Sequence, residues 1–483
     1  MGIGKSDRAL KGYGSRNGMM TLNRTVLILA FFMIFCGGCA SLQNYTVKAA
    51  PARAAIMAGD YQSALAVFPE EAARGSNEVL VRLERGMILH DEGLFEESSG
   101  EFEETAQRIE EFEEKAVISA SKTAAQAGTL LINEQVMPYQ GEDFEKIMLH
   151  AFGAVNYLMR GDLEGARVEI RNAYRRQEEL SARHEEALEE ARKETRSSGW
   201  EQSLEEADSA GYEQLKEKSG TVISVYHNAF ASYVSALVYE LNGEPDEAYI
   251  DLKKAYQAYP SSRSIQRDLL RLSRKIGFRE DAQRWEAMFG KKAPGTQEAV
   301  DVFILFSHGL APVKEPLTLP IPIHDGFVFA SLPVYRFTPS SMTGALVEAG
   351  GIHEETSTVC DIDAIAARNL LDEFPILFVK QIARSYLKAR AVGGMAREHG
   401  EGWAILGTLF AAVTEQADLR TWSTLPKQIQ VARLFVPRTV SEVSIQAAPV
   451  STPVTVAIPE GARHVIVLCR QTDAGLSIHT KTY

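Results

Sequence analysis

The chain has 483 residues, 51 basic and 64 acidic side chains, and a formal charge of −13 at pH 7. That excess of acid argues against nucleic acid and anionic lipid headgroups as general partners. The length allows two or three domains, each with its own core.

The first element is a leader. Residues 1–24 carry Lys5, Arg8, Lys11, Arg16 and Arg24 against one acid, Asp7, and Val26 to Phe35 is an unbroken apolar run. The run is short for a transmembrane helix, which needs about 20 residues, and with its basic flank it reads as a secretory signal peptide. Cys36-Gly37-Gly38-Cys39 follows. Small residues directly before a cysteine resemble the bacterial lipobox, with Cys36 standing where leucine is usual. The resemblance implies cleavage after residue 38, a lipidated Cys39 and a linker over 39–49. It places the mature protein on a membrane by its acyl chains, and Ala40 in place of Asp favours the outer membrane. Losing residues 1–38 removes five basic groups and one acid, which leaves a formal charge of −17. Two cysteines then remain, Cys360 and Cys469. In an oxidising compartment they could pair; two buried thiols are the other reading.

Residues 50–290 read as helix with a repeat. Gly59, Gly93, Gly161, Gly243 and Gly277 are each followed five residues later by Ala64, Ser98, Ala166, Ala248 and Ala282. Four further on stand Phe68, Phe102, Ile170 and Leu252 in the first four units. Two of the glycine spacings are 34, the tetratricopeptide period, and a third is twice that. The glycine ends the first helix of a pair, the small residue lets two helices approach, and the larger one fills the next groove. Tyr239 and Tyr157 are the candidate partner-binding residues of this array. A charged stretch over 176–222 has few apolar residues and no sustained heptads, so it reads as a protruding helical hairpin broken near Ser197-Ser198-Gly199.

After Lys291-Lys292-Ala293-Pro294-Gly295 the pattern changes. Short β-like runs lie at 300–306, 317–323, 326–330, 429–435, 441–447, 453–458 and 464–469. They predict an antiparallel, sandwich-like domain over 297–483, with the proline-bearing runs at edges. Between the strand blocks a helical insert is expected over 374–416. Its apolar run, 403–413, packs in a core or dips into a membrane interface. The fold class expected is therefore mainly α: a tetratricopeptide-like α-solenoid followed by an α+β domain.

The stretch Glu415 to Pro426 (EQADLRTWSTLP), the turn Gly309-Leu310-Ala311-Pro312-Val313-Lys314 and the pair Leu319-Pro320 resemble a family of bacterial tetratricopeptide lipoproteins with a C-terminal β-rich domain. The family has no assigned activity, so the resemblance implies architecture and location. Asp418, Arg420 and Trp422 are expected to form a structural lock between the helical insert and the following strand.

Motif chemistry is absent. There is no HExxH run, no cysteine pair at zinc spacing and no GxSxG elbow, so no metal site, no cofactor and no catalytic residue is expected. Gly2-Ile3-Gly4-Lys5-Ser6 imitates the end of a phosphate loop but lies in the leader. The reading that follows is a lipid-anchored periplasmic scaffold whose concave repeat surface binds a protein partner in cell-envelope assembly. The rivals are a periplasmic enzyme acting on wall or polysaccharide, with a raised carboxyl among Asp361, Asp363, Glu373 and Glu401, and a membrane-associated subunit of an export complex.

Overall fold

The structure is a computed structural model that describes residues 44–120, 137–220, 222–291, 299–323, 326–399, 416–449 and 452–483. Cys39, Glu401 and the 403–413 run lie outside those residues.

The helices come in chain order. They are α1 (Tyr45–Met57), α2 (Tyr61–Val67), α3 (Glu78–Glu92), α4 (Phe95–Ala120), α5 (Asp143–Arg160), α6 (Leu163–Ser198), α7 (Glu201–Gly211), α8 (Glu213–Ser219), α9 (Ala229–Leu241), α10 (Pro245–Ala258), α11 (Arg263–Lys275) and α12 (Arg279–Phe289). Five helical hairpins result: α1/α2, α3/α4, α5/α6, α9/α10 and α11/α12. Each turns on one of the repeat glycines, with φ of 73° at Gly59, 88° at Gly93, 86° at Gly161, 77° at Gly243 and 79° at Gly277. A side chain there would strain the left-handed backbone. The five small residues of the repeat are all buried, as are Phe68, Phe102, Ile170 and Leu252. The approach is close at Gly86, where an added Cβ would lie 2.3 Å from the Phe102 ring.

Two boundaries differ from expectation. The first helix starts inside the expected 39–49 linker, because the Asn44 side chain caps it by accepting from the Thr46 amide and the Tyr45 hydroxyl donates to buried Glu84 at 2.8 Å. The charged arm does break at Gly199, which has φ 69°, but its return does not protrude. Tyr212 is fully buried, donates to the Pro333 carbonyl at 2.9 Å and packs its ring, tilted by 41°, 4.4 Å from that of Phe374.

The C-terminal strands are β1 (Ala299–His308), β2 (Val313–Ile323), β3 (Gly326–Arg336), β4 (Gly344–Ala349), β5 (Ile352–Glu355), β6 (Ser357–Asp361), β7 (Gln428–Pro437), β8 (Glu442–Ala448), β9 (Val454–Ala457), β10 (His464–Thr472) and β11 (Gly475–Thr482), with helix α13 (Ile362–His399) between β6 and β7. They form a central sheet β11-β10-β1-β7-β6, a small sheet β5-β4-β8-β9 and a ribbon β2-β3. The expectation of a purely antiparallel arrangement fails at β1, which pairs with β10 in parallel. An apolar run such as Val302 to Phe306 suits a central strand covered on both faces. The prolines of β2 sit in the two-stranded ribbon, where a missing amide costs least. The helical insert begins at 362, not 374: Asp361 caps it by accepting from the Ala364 amide at 3.0 Å, and the helix runs through Pro375.

The apolar core does not stop at the border between helices and strands. One face of the central sheet (Val302, Ile304, Phe306, Val467) packs on Val347, Val443 and Ile445 of the small sheet. Its other face (Phe303, Leu305, Val431, Ile466) shares a core with Phe230, Tyr233, Ile265 and Leu269 of the repeat helices. Cys469 faces the small sheet and Cys360 the helices. They stand on β10 and β6 with β1 and β7 between, so roughly 14 Å of sheet separates them. A disulfide needs Cα atoms within about 7 Å; both thiols are free and buried, which corrects the pairing considered from sequence.

A buried ion network crosses the same border. Arg433 of β7 donates to Asp301 of β1 (Nε to Oδ1, 2.8 Å) and to Glu240 of α9 (Nη1 to Oε2, 2.8 Å). Arg271 of α11 holds Glu240 at 2.6 and 2.8 Å and Asp268 at 2.8 Å. Burial alone would raise the Asp301 carboxyl; the Arg433 charge beside it overrides that and holds it at about 2. Removing the arginine leaves two desolvated carboxylates short of a cation. Arg433→Ala is expected to lower stability by about 3–5 kcal/mol, measured by urea denaturation. Both thiols are expected to resist maleimide in the folded protein and to react on unfolding; failure of both to react after denaturation without reductant, with reaction restored by reductant, would contradict the free-thiol arrangement.

Candidate functional site

The first helices of the hairpins carry acids in the middle of apolar stripes. Glu84 of α3 lies among Leu80, Met87 and Ile88, and Glu145 of α5 precedes Met148 and Leu149; all are buried. A buried carboxylate needs its lone pairs filled, and here the 416–427 segment fills them. Glu84 accepts from the Ser423 amide (2.9 Å), the Ser423 hydroxyl (2.7 Å) and the Thr424 amide (2.9 Å). Glu145 accepts from the Trp422 amide (2.7 Å), the Thr421 hydroxyl (3.0 Å) and the Tyr139 hydroxyl (2.6 Å). Trp422 is fully buried, edge-on to Phe102 at 5.7 Å. Arg420 grips Asp418 (Nη2 to Oδ2, 2.6 Å) and donates to the Ser76 and Met137 carbonyls at 3.1 and 3.0 Å. Asp418, Arg420 and Trp422 therefore do act together. What they join differs from expectation: the segment is fastened to α3, α5 and the chain before them.

Every first helix is engaged in this way. Thr46 of α1 donates to the Lys314 carbonyl at 2.8 Å, Arg53 of α1 to the Ser423 carbonyl, and Ser264 of α11 to the Val431 carbonyl at 2.8 Å. Glu240 of α9 belongs to the Arg433 network. The face expected to hold a partner is covered by this chain's own strands and loop.

The second helices leave an opening. A cleft of about 310 Å³ lies between α4 and α6 over α5, lined among others by Glu103, Glu110, His150, Tyr157, Glu169 and Arg175. The Tyr157 ring lies flat here because α6 has Gly165, where a Cβ would come within 2.3 Å of it. Its hydroxyl donates to Glu103 at 2.5 Å, and burial together with that carboxylate pushes it up to about 12. His150 Nδ1 meets Glu169 Oε2 at 2.7 Å, and Arg175 Nη2 meets Glu110 Oε1 at 2.7 Å. The cleft thus offers an aromatic floor with more acid than base. Tyr239 is not brought into it. It occupies the same place four residues before its glycine, half-buried beneath the Arg167 guanidinium at 5.8 Å.

The carboxyls that would mark an enzyme are dispersed. Asp363 is raised by burial although Lys427 and Lys218 (3.6 Å) approach it. Glu373 is raised well above its ordinary value by burial and then by Glu142 and Asp143. Asn369 bridges Glu142 and Glu373 at 3.0 and 3.1 Å. Ten residues of helix, about 15 Å, separate Asp363 from Glu373, so they are no pair, and neither lines the α4–α6 cleft. Among the described residues no group of three His, Cys, Asp or Glu could hold a metal ion, and no described helix is long and apolar enough to cross a membrane. The sequence reading missed Glu84 and Glu145; an acid within a helical apolar stripe was the signal that could have found them.

Burial, followed by the nearby Glu142, lifts Glu145 from 4.5 to about 7. A carboxyl raised in the folded state favours folding while it is protonated and loses that contribution as pH climbs. Stability is expected to decline between about pH 4.5 and 7, by on the order of 3 kcal/mol from this group, and Glu145→Gln is expected to flatten the slope. Thermal melts across that range decide it: equal slopes in the two proteins would remove Glu145 as the cause. No family model, curated protein or solved structure matches this chain.

Proposed function

We propose that this is a lipid-anchored envelope protein whose helical hairpins are tetratricopeptide-like and which binds a protein partner through the second-helix cleft at Tyr157. The leader and Cys39 support anchoring at the outer membrane, facing the periplasm. The 34-residue spacing and the five glycine-capped hairpins support a repeat scaffold. The observation that carries the binding surface is the coverage of every first helix by the C-terminal strands and loop, while the cleft between α4 and α6 is lined by residues of the helical hairpins. Cell-envelope assembly is the setting proposed from location and repeats.

Two measurements test it. Labelled palmitate should enter the wild-type protein and not Cys39→Ala. Affinity capture from the native envelope should recover a partner that Tyr157→Ala and Glu103→Lys each lose at least tenfold, while their melting temperatures stay near wild type. Capture that survives both changes would defeat the cleft as the docking surface.

An enzymatic reading has one observation in its favour: the Glu142–Asn369–Glu373 bridge, in which Lys314 faces Glu142 and burial raises Glu373. A buried carboxyl raised in this way suits general acid–base chemistry. If it holds, Glu373→Gln abolishes turnover of wall or polysaccharide fragments by the purified protein; absence of turnover in the wild type ends it.

A further inference from the structure

Three successive hairpins place an acid at the same point. Eight residues after the turn glycine, the second helices α4, α6 and α10 carry Glu101, Glu169 and Asp251. Each reaches the first helix of its own pair, at Arg82, His150 and Ser235. What neutralises the acid differs. Glu101 is gripped by two guanidinium groups of α3, Arg82 at 2.9 Å and Arg85 at 2.6 Å. Asp251 holds Lys254, whose ammonium stands 2.9 Å from Oδ1 and 4.1 Å from the centre of the Tyr174 ring. Glu169 meets no lysine or arginine among the described residues. Its partners are His150 Nδ1 at 2.7 Å and the Asn172 amide at 3.5 Å. A histidine brings a full charge only when it is protonated.

The hairpin without its own cation is the one with the Tyr157 cleft. Lys254 stands eleven residues after its glycine and three after its acid. The same place in the α5/α6 hairpin is Asn172, which lines the opening of about 310 Å³ together with Glu169. The cleft thus lies where the next hairpin puts its lysine.

The groups around this opening are acceptors short of donors. Glu103 and Glu110 engage one oxygen each, with the Tyr157 hydroxyl and the Arg175 guanidinium, and the other oxygen of each has no partner among the described residues. His150 is 3 % exposed, lines the cleft and has Nδ1 on Glu169; no described residue bonds its Nε2. In a neutral ring with the proton on Nδ1, that nitrogen is an acceptor. Arg175 is the only lysine or arginine in the lining, and Glu110 and Glu179 already hold it at 2.7 and 3.2 Å. Phe102, Ala106 and Gly153 supply apolar ground between the acids, which suits an aliphatic stem. A cation that only donates, on such a stem, is a lysine or arginine side chain.

We propose that the α4–α6 cleft receives a lysine or arginine side chain of the protein partner, in the place that Lys254 fills one hairpin further on. This specificity rests on the protein-binding reading of the cleft and adds the group that the partner presents.

Two measurements test it. In the first, the ¹⁵N-histidine-labelled protein is titrated with the N-acetyl methylamides of arginine and lysine, and with that of citrulline as an uncharged isostere. The basic compounds are expected to move the His150 ring resonances saturably, and citrulline to bind at least tenfold more weakly. Asn172→Lys supplies the missing internal lysine and is expected to abolish the response. Asn172→Met, of similar length and no charge, is expected to keep it. Asn172 is half-buried, and melting temperatures at or above that of the wild type show that both variants fold. In the second, capture from the native envelope is expected to lose the partner at least tenfold with Asn172→Lys and to retain it with Asn172→Met. Silence of His150 toward both basic compounds overturns the proposal, as does an equal response to citrulline or equal loss in the two variants. A partner lost with Tyr157→Ala but kept with Asn172→Lys leaves the docking surface standing and overturns its specificity for a cation. A saturable response to the basic compounds with no cleft-dependent partner in the capture supports the cation site and overturns the protein-binding reading instead.

Discussion

Carboxylates taken out of water on the first helix of successive hairpins govern this structure. Glu84, Glu145 and Glu240 are each at most 9 % exposed, and each is met by the chain beyond residue 416: Glu84 by Ser423 and Thr424, Glu145 by Thr421 and Trp422, and Glu240 by Arg433, which shares it with Arg271 of α11. A desolvated carboxylate without such partners costs several kcal/mol. The helical array therefore cannot present that face to solvent in the form seen here. The C-terminal strands and loop complete the repeat stack, and the apolar core confirms it by running through the central sheet into the helices.

This constraint changes where recognition can occur. A helical-repeat protein ordinarily offers its first-helix surface to a partner; here that surface is filled from within the same chain. The second-helix side keeps the cleft at Tyr157, where paired side chains line an opening and no described segment of the C-terminal part enters. The small sheet has its own inner face committed to the core, where it packs on the central sheet through Val347, Val443 and Ile445.

Local rules were legible where neighbours in sequence decide the outcome. The five glycines had to end helices because only a residue without Cβ takes positive φ cheaply. The small residues five positions on had to be buried because helices of a hairpin touch there. The strand runs, the proline-rich ribbon and the break at Gly199 followed from the same kind of short-range chemistry. Boundaries set by capping were less legible. Asn44 and Asp361 start helices earlier than apolar periodicity announces, and Pro375 sits inside a helix where it would more often open one.

The amino-acid sequence by itself thus determined the hairpins, their period, most strands and the union of Asp418, Arg420 and Trp422. Only tertiary structure decided what they meet. The parallel pairing of β1 with β10, the separation of Cys360 from Cys469 and the docking of the 416–427 segment on Glu84 and Glu145 all link residues far apart in the chain. No local pattern encodes such contacts, because register between distant strands and the burial of a polar group depend on what else is packed against them.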